Sequence, residues 1–114
     1  MSDELMGGDF SGEKVLLGKE ATWELYEQSG FGRPVAEGLE LSLVEAAYLL
    51  DRGKISVRLQ GKDLDFRSFF ETATAREAGF EFRYVVYKDL RERGYYVQPG
   101  VTDFRVYPRG GKPG

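Results

Sequence analysis

The clearest hydrophobic pattern in the chain lies in LSLVEAAYLLDRGK, and it predicts a short helix over residues 41–53. Apolar side chains recur there at helical spacing and also fill neighbouring positions, which predicts a helix buried on nearly all sides. Ser42 and Glu45 have the spacing of a capping box, which marks the start of a helix. Gly53 follows the cationic Arg52, where a left-handed C-cap residue is expected. Local residues therefore predict both ends of this helix.

Two further helices are predicted, each with one apolar face. In KDLDFRSFFETATARE, Asp65 is the expected N-cap of a helix that ends before Gly79. Its apolar face consists of Phe66, Phe69, Phe70 and Ala73. The next helix has an apolar stripe at positions i, i+4, i+7 and i+10, formed by Phe80, Tyr84, Tyr87 and Leu90. Gly94 is expected to end that helix.

The strand predictions rest on shorter signals. KVLLG predicts a strand, and KISVRLQG, with apolar residues at alternate positions, predicts a half-buried one. YYVQ and TDFRVY, joined by PGV, predict a β-hairpin over residues 95–107. Residues 19–34 predict a helix whose Trp23 and Tyr26 lie in the core or at an interface, and the polar segment 1–14 predicts a frayed start. Together these elements predict an α+β fold.

The composition fits a folded protein and removes several kinds of active site. Of the 114 residues, 41% are hydrophobic and 14% aromatic, which is enough to bury a core. The chain has no cysteine and no histidine, which excludes disulfides, thiolate and histidine metal sites, and histidine-based triads within it. An oxygen-ligand Mg²⁺ or Ca²⁺ site stays open, although no EF-hand spacing is present. Without a membrane-length apolar run or a signal peptide, we expect a cytoplasmic protein with no membrane partner.

The charges are distributed unevenly, and the C-terminal third is basic. Residues 1–80 contain 9 Lys and Arg against 15 Asp and Glu, whereas residues 81–114 contain 7 against 4. The basic residues there, together with the neighbouring Tyr95 and Tyr96, favour an RNA-facing surface. They are Arg83, Lys88, Arg91, Arg93, Arg105, Arg109 and Lys112. The alternative, which the sequence leaves open, is an ordinary solvated helix face followed by a hairpin.

Tyr107 is the candidate for proton-transfer chemistry. A free tyrosine has a pKa near ~10, so it needs a neighbouring cation to act as a base at neutral pH. Arg105 precedes it by two residues on the predicted strand, and Arg109 follows it. The alternative is a strand aromatic that packs on the preceding helix. The glycines form no phosphate-binding motif and are interpreted as turn residues.

Three segments, LSLVEAAYLLDRGKI, FRYVVYKDLRERGYYVQPG and DFRVYPRG, resemble in order and spacing the archaeal tRNA-splicing (tRNA-intron) endonucleases. The resemblance covers about residues 8–110. It implies an α+β fold in which a small N-terminal α/β domain, residues 1–78, precedes an incomplete catalytic-type domain, residues 79–114. That second part would be the start of the family's α/β nuclease domain, a helix plus a β-hairpin. The implied partners are precursor tRNA and other endonuclease subunits or repeats in an oligomer.

The reaction implied by the resemblance is cleavage of precursor tRNA at bulge-helix-bulge introns, without a metal or other cofactor, to 2′,3′-cyclic phosphate and 5′-hydroxyl ends. Family members use a tyrosine base, a histidine acid and a charge-stabilising lysine. Tyr107 matches the tyrosine, and Arg105 and Arg109 are the expected RNA contacts. No histidine matches, and Lys112 lies in the wrong element to be the lysine. We therefore expect a truncated or non-catalytic unit, inactive alone; the alternative role is an RNA-binding scaffold for a catalytic partner.

Overall fold

The computed structural model describes residues 6–99 and 104–107, and within these ranges it contains strands, α-helices and one π-helical turn, Thr22–Glu27. The α+β class predicted from the sequence is confirmed. In chain order the elements are β1 Met6–Phe10, β2 Val15–Leu17, β3 Arg33–Val35, β4 Gly38–Leu41, α1 Leu43–Asp51, β5 Ile55–Leu59, β6 Lys62–Leu64, α2 Phe66–Arg76, α3 Phe80–Glu92, β7 Tyr96–Pro99 and β8 Phe104–Tyr107.

A six-stranded mixed sheet forms the larger part of the described chain, in the order β3-β4-β2-β1-β5-β6. β1 pairs in parallel with β5, with Gly8 opposite Val57. The predicted frayed start is therefore wrong for residues 6–10, which form an inner strand. A Cβ on Gly8 would come within 2.5 Å of Val15 Cγ1, so this close approach of neighbouring strands needs a glycine. The glycines also interrupt the hydrophobic pattern that would mark a strand.

Helix α1 lies at the centre of the fold and is buried as predicted. All residues from Leu43 to Leu49 are buried, and the helix contacts β5, α2 and α3. The predicted capping box is confirmed: the Glu45 N–H donates to Ser42 Oγ at 3.4 Å, and the Ser42 N–H donates to Glu45 Oε1 at 3.0 Å. Gly53 has φ +72°, as expected of a residue that ends the helix in the left-handed region.

Helices α2 and α3 bury the apolar faces that the sequence predicts. Asp65 caps α2 by accepting the Ser68 N–H at 2.8 Å, and this hydrogen bond lowers the pKa of the Asp65 carboxyl. Phe69 and Ala73 are fully buried. On α3 the predicted stripe packs inward, and its aromatic rings meet those of α2; the close ring pairs are Phe66–Tyr84, Phe70–Phe80 and Phe70–Tyr84, with centroids 5.1–5.8 Å apart.

The helix predicted over residues 19–34 is wrong in extent. Its first part is the short π-helical turn, and its last residues enter the β3–β4 hairpin, which the sequence analysis did not predict. Gly30 and Gly32, with φ +72° and +78°, turn the chain between the two elements. Trp23 is 64% exposed rather than in the core. Strand β6 was also not predicted; it is only three residues long and ends directly before the predicted N-cap, Asp65.

The predicted C-terminal hairpin is confirmed. β7 and β8 are antiparallel, with Tyr96 opposite Tyr107 and Pro99 opposite Phe104. Val97 is fully buried, so β7 is attached to the core. The proposed division of the chain after residue 78 stays a prediction. Within the described ranges no helix has the length and apolar character needed to cross a membrane.

Candidate functional site

The predicted catalytic tyrosine lies on β8, the outer strand of the C-terminal hairpin. In the antiparallel register Tyr107 is opposite Tyr96, and Arg105 is opposite Gln98. Arg109, the other predicted RNA contact, lies outside the described residues. The structure thus gives the backbone positions of two of the three predicted site residues and the strand pairing that fixes them.

The predicted basic surface on α3 is compensated by acidic neighbours. An exposed ion pair contributes little stability, but it cancels much of the local positive potential that would attract phosphate. The described α3 region is therefore less cationic than the sequence suggests. The ion pairs are Arg83–Glu77 at 3.0 Å, Lys88–Asp51 at 3.9 Å and Arg93–Asp89 at 2.9 Å.

Arg91 connects α3 to the N-terminal part of the chain. Its guanidinium carbon lies 3.7 Å from the ring centroid of Phe31. Nε donates to the Tyr87 hydroxyl at 3.2 Å, and Nη1 donates to the Tyr95 carbonyl at 3.5 Å. A cation over an aromatic face contributes on the order of 1–2 kcal/mol when it is partly desolvated. The contact with Phe31 spans 60 positions of sequence, so no local pattern could reveal it.

Glu45 is the buried charge behind this contact, with only 3% of its surface exposed. Its Oε2 accepts the Gly32 N–H at 2.7 Å, and its Oε1 accepts both the N–H and the hydroxyl of Ser42 at 3.0 Å. Burial raises the pKa of the Glu45 carboxyl, while these hydrogen bonds and the charge of Arg91 act in the opposite direction. The sequence identified Glu45 as a capping residue, but it did not reveal the second contact, with Gly32.

Two other tyrosines of α3 are unsuited to act as bases. Burial raises the pKa of Tyr87 well above its ordinary value, and the charge of Glu45 adds to the effect. Burial likewise raises the pKa of Tyr84, with a further contribution from Asp51, to which its hydroxyl donates at 3.4 Å. Both phenols therefore stay protonated at neutral pH. A general base must first lose its own proton, so neither tyrosine is suited to that role.

An open groove of about 560 Å³ lies beside the π-helical turn. The exposed indole of Trp23 forms one wall, and the exposed side chains of Glu24 and Lys54 line it. These groups have no arrangement for proton transfer. In the part of the chain that the structure describes, no cluster of three or more acidic side chains could hold a metal ion.

Two protein-family profiles match successive parts of the chain. The profile of the tRNA intron endonuclease N-terminal domain matches residues 6–70. The profile of the tRNA intron endonuclease catalytic C-terminal domain matches residues 80–114. The second match contains α3, β7 and β8, and therefore includes both Arg91 and Tyr107.

Individual relatives agree with the profiles. The chain is 61% identical over 110 residues to a tRNA-splicing endonuclease of Methanosarcina mazei, a match that covers 96% of this chain and 31% of the relative. It is 45% identical over 104 residues to a tRNA-splicing endonuclease of Thermococcus onnurineus, covering 88% of this chain and 61% of the relative. The chain thus spans between about a third and three fifths of these relatives' lengths. Because the N-terminal profile alone matches more than half of the residues, the chain belongs to the tRNA intron endonuclease family.

Proposed function

We propose that this chain is a subunit or part of a tRNA-intron endonuclease and takes part in the cleavage of precursor tRNA. The observation that carries the proposal is the position of β8. This strand lies within the match to the catalytic C-terminal domain and brings the backbone of Tyr107 into register with the anchored strand β7. The names of the Methanosarcina and Thermococcus relatives support precursor tRNA as the substrate. The absence of cysteine fits action in a reducing cytoplasm.

In the proposed reaction Tyr107 acts in its phenolate form, which the neighbouring arginines favour, and accepts the proton of a ribose 2′-hydroxyl. That oxygen attacks the adjacent phosphorus, the bond to the 5′-oxygen of the next nucleotide breaks, and a 2′,3′-cyclic phosphate forms. The departing oxygen needs a proton, and the charged transition state needs a cation. These 114 residues contain no histidine to supply the proton, so the acid and the cation come from a part of the endonuclease outside them. Arg105 and Arg109 contact the RNA phosphates.

The second candidate function is a non-catalytic scaffold that binds RNA or holds a catalytic partner. This role does not require a complete Tyr–His–Lys set, which these 114 residues do not contain. The acidic partners of the α3 cations also fit a unit that does not hold RNA by that helix. In both versions residues 79–114 belong to the catalytic-type domain, and the chain alone does not cleave.

A cleavage assay with Tyr107→Phe distinguishes the two functions. The chain is tagged at its native locus, its assembly is purified, and cleavage of an intron-containing precursor tRNA is compared with cleavage by the isolated chain. Loss of a general base lowers the rate by about 10²–10⁴-fold, which we expect for Tyr107→Phe. Tyr95→Phe, also at the hairpin, is the matched control and should keep the native rate. An unchanged rate with Tyr107→Phe supports the scaffold, and an assembly that cleaves nothing contradicts both functions.

A further inference from the structure

The loop of residues 28–32 in the N-terminal part packs against the ring of Tyr96. A Cβ on Gly30 would come within 2.6 Å of Tyr96 Cδ1, so the ring rests directly on the glycine backbone. The Tyr96 hydroxyl donates to the Gln28 carbonyl at 3.5 Å. In the same loop, the Gly32 N–H donates a hydrogen bond of 2.7 Å to Oε2 of the buried Glu45. The loop is therefore fixed from inside the core while its outer side receives Tyr96.

Arg91, on α3, contacts both this loop and the ring of Tyr96. Its guanidinium carbon lies 3.7 Å from the Phe31 ring centroid and 5.6 Å from that of Tyr96, so it contacts a ring on each side of the junction. Its hydrogen bond to the Tyr95 carbonyl holds the residue immediately before β7. A planar guanidinium can stack and donate at the same time, which a lysine ammonium cannot do.

These contacts involve β7, the strand with which β8 pairs. Tyr96 is the Cα partner of Tyr107, and the buried Val97 is the partner of Val106, which is 45% exposed. An isolated two-stranded hairpin is at best marginally stable in water, so β7–β8 depends on its attachment to the rest of the molecule. We propose that Arg91 and Tyr96 are positioning residues, which lock the β7–β8 hairpin and the backbone of Tyr107 onto the loop of residues 28–32.

The predicted effect on cleavage rests on the proposed function, whereas the anchoring itself does not. Neither residue is placed against substrate, and each acts through the strand that it holds. The anchoring can therefore be tested in this chain by measuring the local opening of the hairpin. Its effect on cleavage is tested separately by the kinetics of the assembly.

The first test compares amide hydrogen exchange in Gly30→Ala and Gly79→Ala. Both glycines have positive φ, +72° and +76°, so both alanines carry backbone strain. Gly79 has nothing within 4 Å of its added Cβ, so only Gly30→Ala displaces Tyr96. We expect the Val97 and Val106 amides to exchange about tenfold faster in Gly30→Ala than in Gly79→Ala, with the β5 amides equally protected in both.

The second test replaces the guanidinium and keeps the charge. Arg91→Lys retains a cation near Glu45 but loses the guanidinium stacked on Phe31 and its two hydrogen-bond donors. It should therefore accelerate amide hydrogen exchange in the hairpin, as Gly30→Ala does. Arg93→Lys is the control, because lysine can keep the ion pair with Asp89. Tyr96→Phe retains the ring and should rescue the protection that Tyr96→Ala loses. Equal acceleration in the hairpin and β5, or no more than in the two controls, would overturn the proposal.

In the cleaving assembly we expect Arg91→Lys to lower kcat and leave KM unchanged, since a displaced base affects the chemical step more than binding. Tyr107→Phe is measured in parallel. If Tyr107→Phe leaves cleavage intact while Arg91→Lys still frees the hairpin, the proposed function fails and the anchoring stands. If Tyr107→Phe abolishes cleavage while Arg91→Lys changes neither exchange nor kcat, the anchoring fails and the proposed function stands.

Discussion

Replacing Glu45 by alanine should unfold the protein at a markedly lower temperature, because two backbone donors lose their acceptor. The Gly32 N–H is in a buried hydrogen bond of 2.7 Å, and the Ser42 N–H is in a partly buried one of 3.0 Å. An orphaned buried donor costs about 1–3 kcal/mol, and the half-buried donor at the helix start costs less. Removing the carboxylate also relieves its own burial. The expected loss is therefore about 2–4 kcal/mol.

This loss corresponds to a fall in Tm of about 8–16 °C, since an unfolding entropy of ~2.1 cal/mol/K per residue over 114 residues gives about 4 °C per kcal/mol. Thermal unfolding by circular dichroism and urea titration both measure it. The matched control is Glu40→Ala. Glu40 accepts a hydrogen bond of 2.7 Å from Arg33, but the arginine side chain is 74% exposed, so the loss should stay below about 1 kcal/mol. Equal destabilisation by the two variants would refute the reasoning.

Three further predictions concern stability. Burial raises the pKa of Glu45 above its ordinary 4.5. The stabilisation from its bound proton is therefore complete below about pH 4.5 and is lost as the pH rises through the folded-state pKa. The Tm of Glu45→Gln should accordingly rise relative to that of the native chain as the pH increases above about 4.5, and a constant difference would contradict this. Gly53 has φ +72° and open space around an added Cβ, so Gly53→Ala should lower the free energy of unfolding in urea by about 1 kcal/mol. Gly32 has φ +78°, and two leucine side chains lie 2.9 Å from its added Cβ. Gly32→Ala should therefore lower the free energy of unfolding by at least about 1 kcal/mol more. Phe69→Ala, at a fully buried position, should cost about 3–5 kcal/mol by the same measurement, and a loss below about 1 kcal/mol would argue against this core.

The parts of the fold that the sequence predicted are those whose signals are local. The capping box of α1 lies within four consecutive residues, and both of its hydrogen bonds form as expected. The apolar face of α2 and the stripe of α3 follow helical periodicity, which neighbouring residues alone express. The β7–β8 hairpin was predicted because its strands are separated by a short turn segment with a proline and a glycine.

The parts that the sequence did not reveal depend on distant partners. β1 pairs with β5 through Gly7 and Gly8 and with β2 through Asp9 and Phe10, and no hydrophobic alternation marks the two glycines. The strands of the β3–β4 hairpin are only three and four residues long, below the length at which periodicity can be read. At the candidate site, the i,i+4 pair of Asp89 and Arg93 was readable from spacing, whereas the contact of Arg91 with Phe31 was not.

The contacts of the β7–β8 hairpin link the proposed base to the N-terminal part of the chain. The proposed base, Tyr107, lies in the segment that matches the catalytic domain, but the surface that seats its partner strand belongs to residues 28–32. That surface in turn is fixed by Glu45, which also starts α1. A hairpin that is marginal alone takes its position from the element that binds it. We therefore expect the geometry of the proposed site to depend on the N-terminal part as much as on the strand that carries the tyrosine, even though the N-terminal part contributes none of the proposed chemistry.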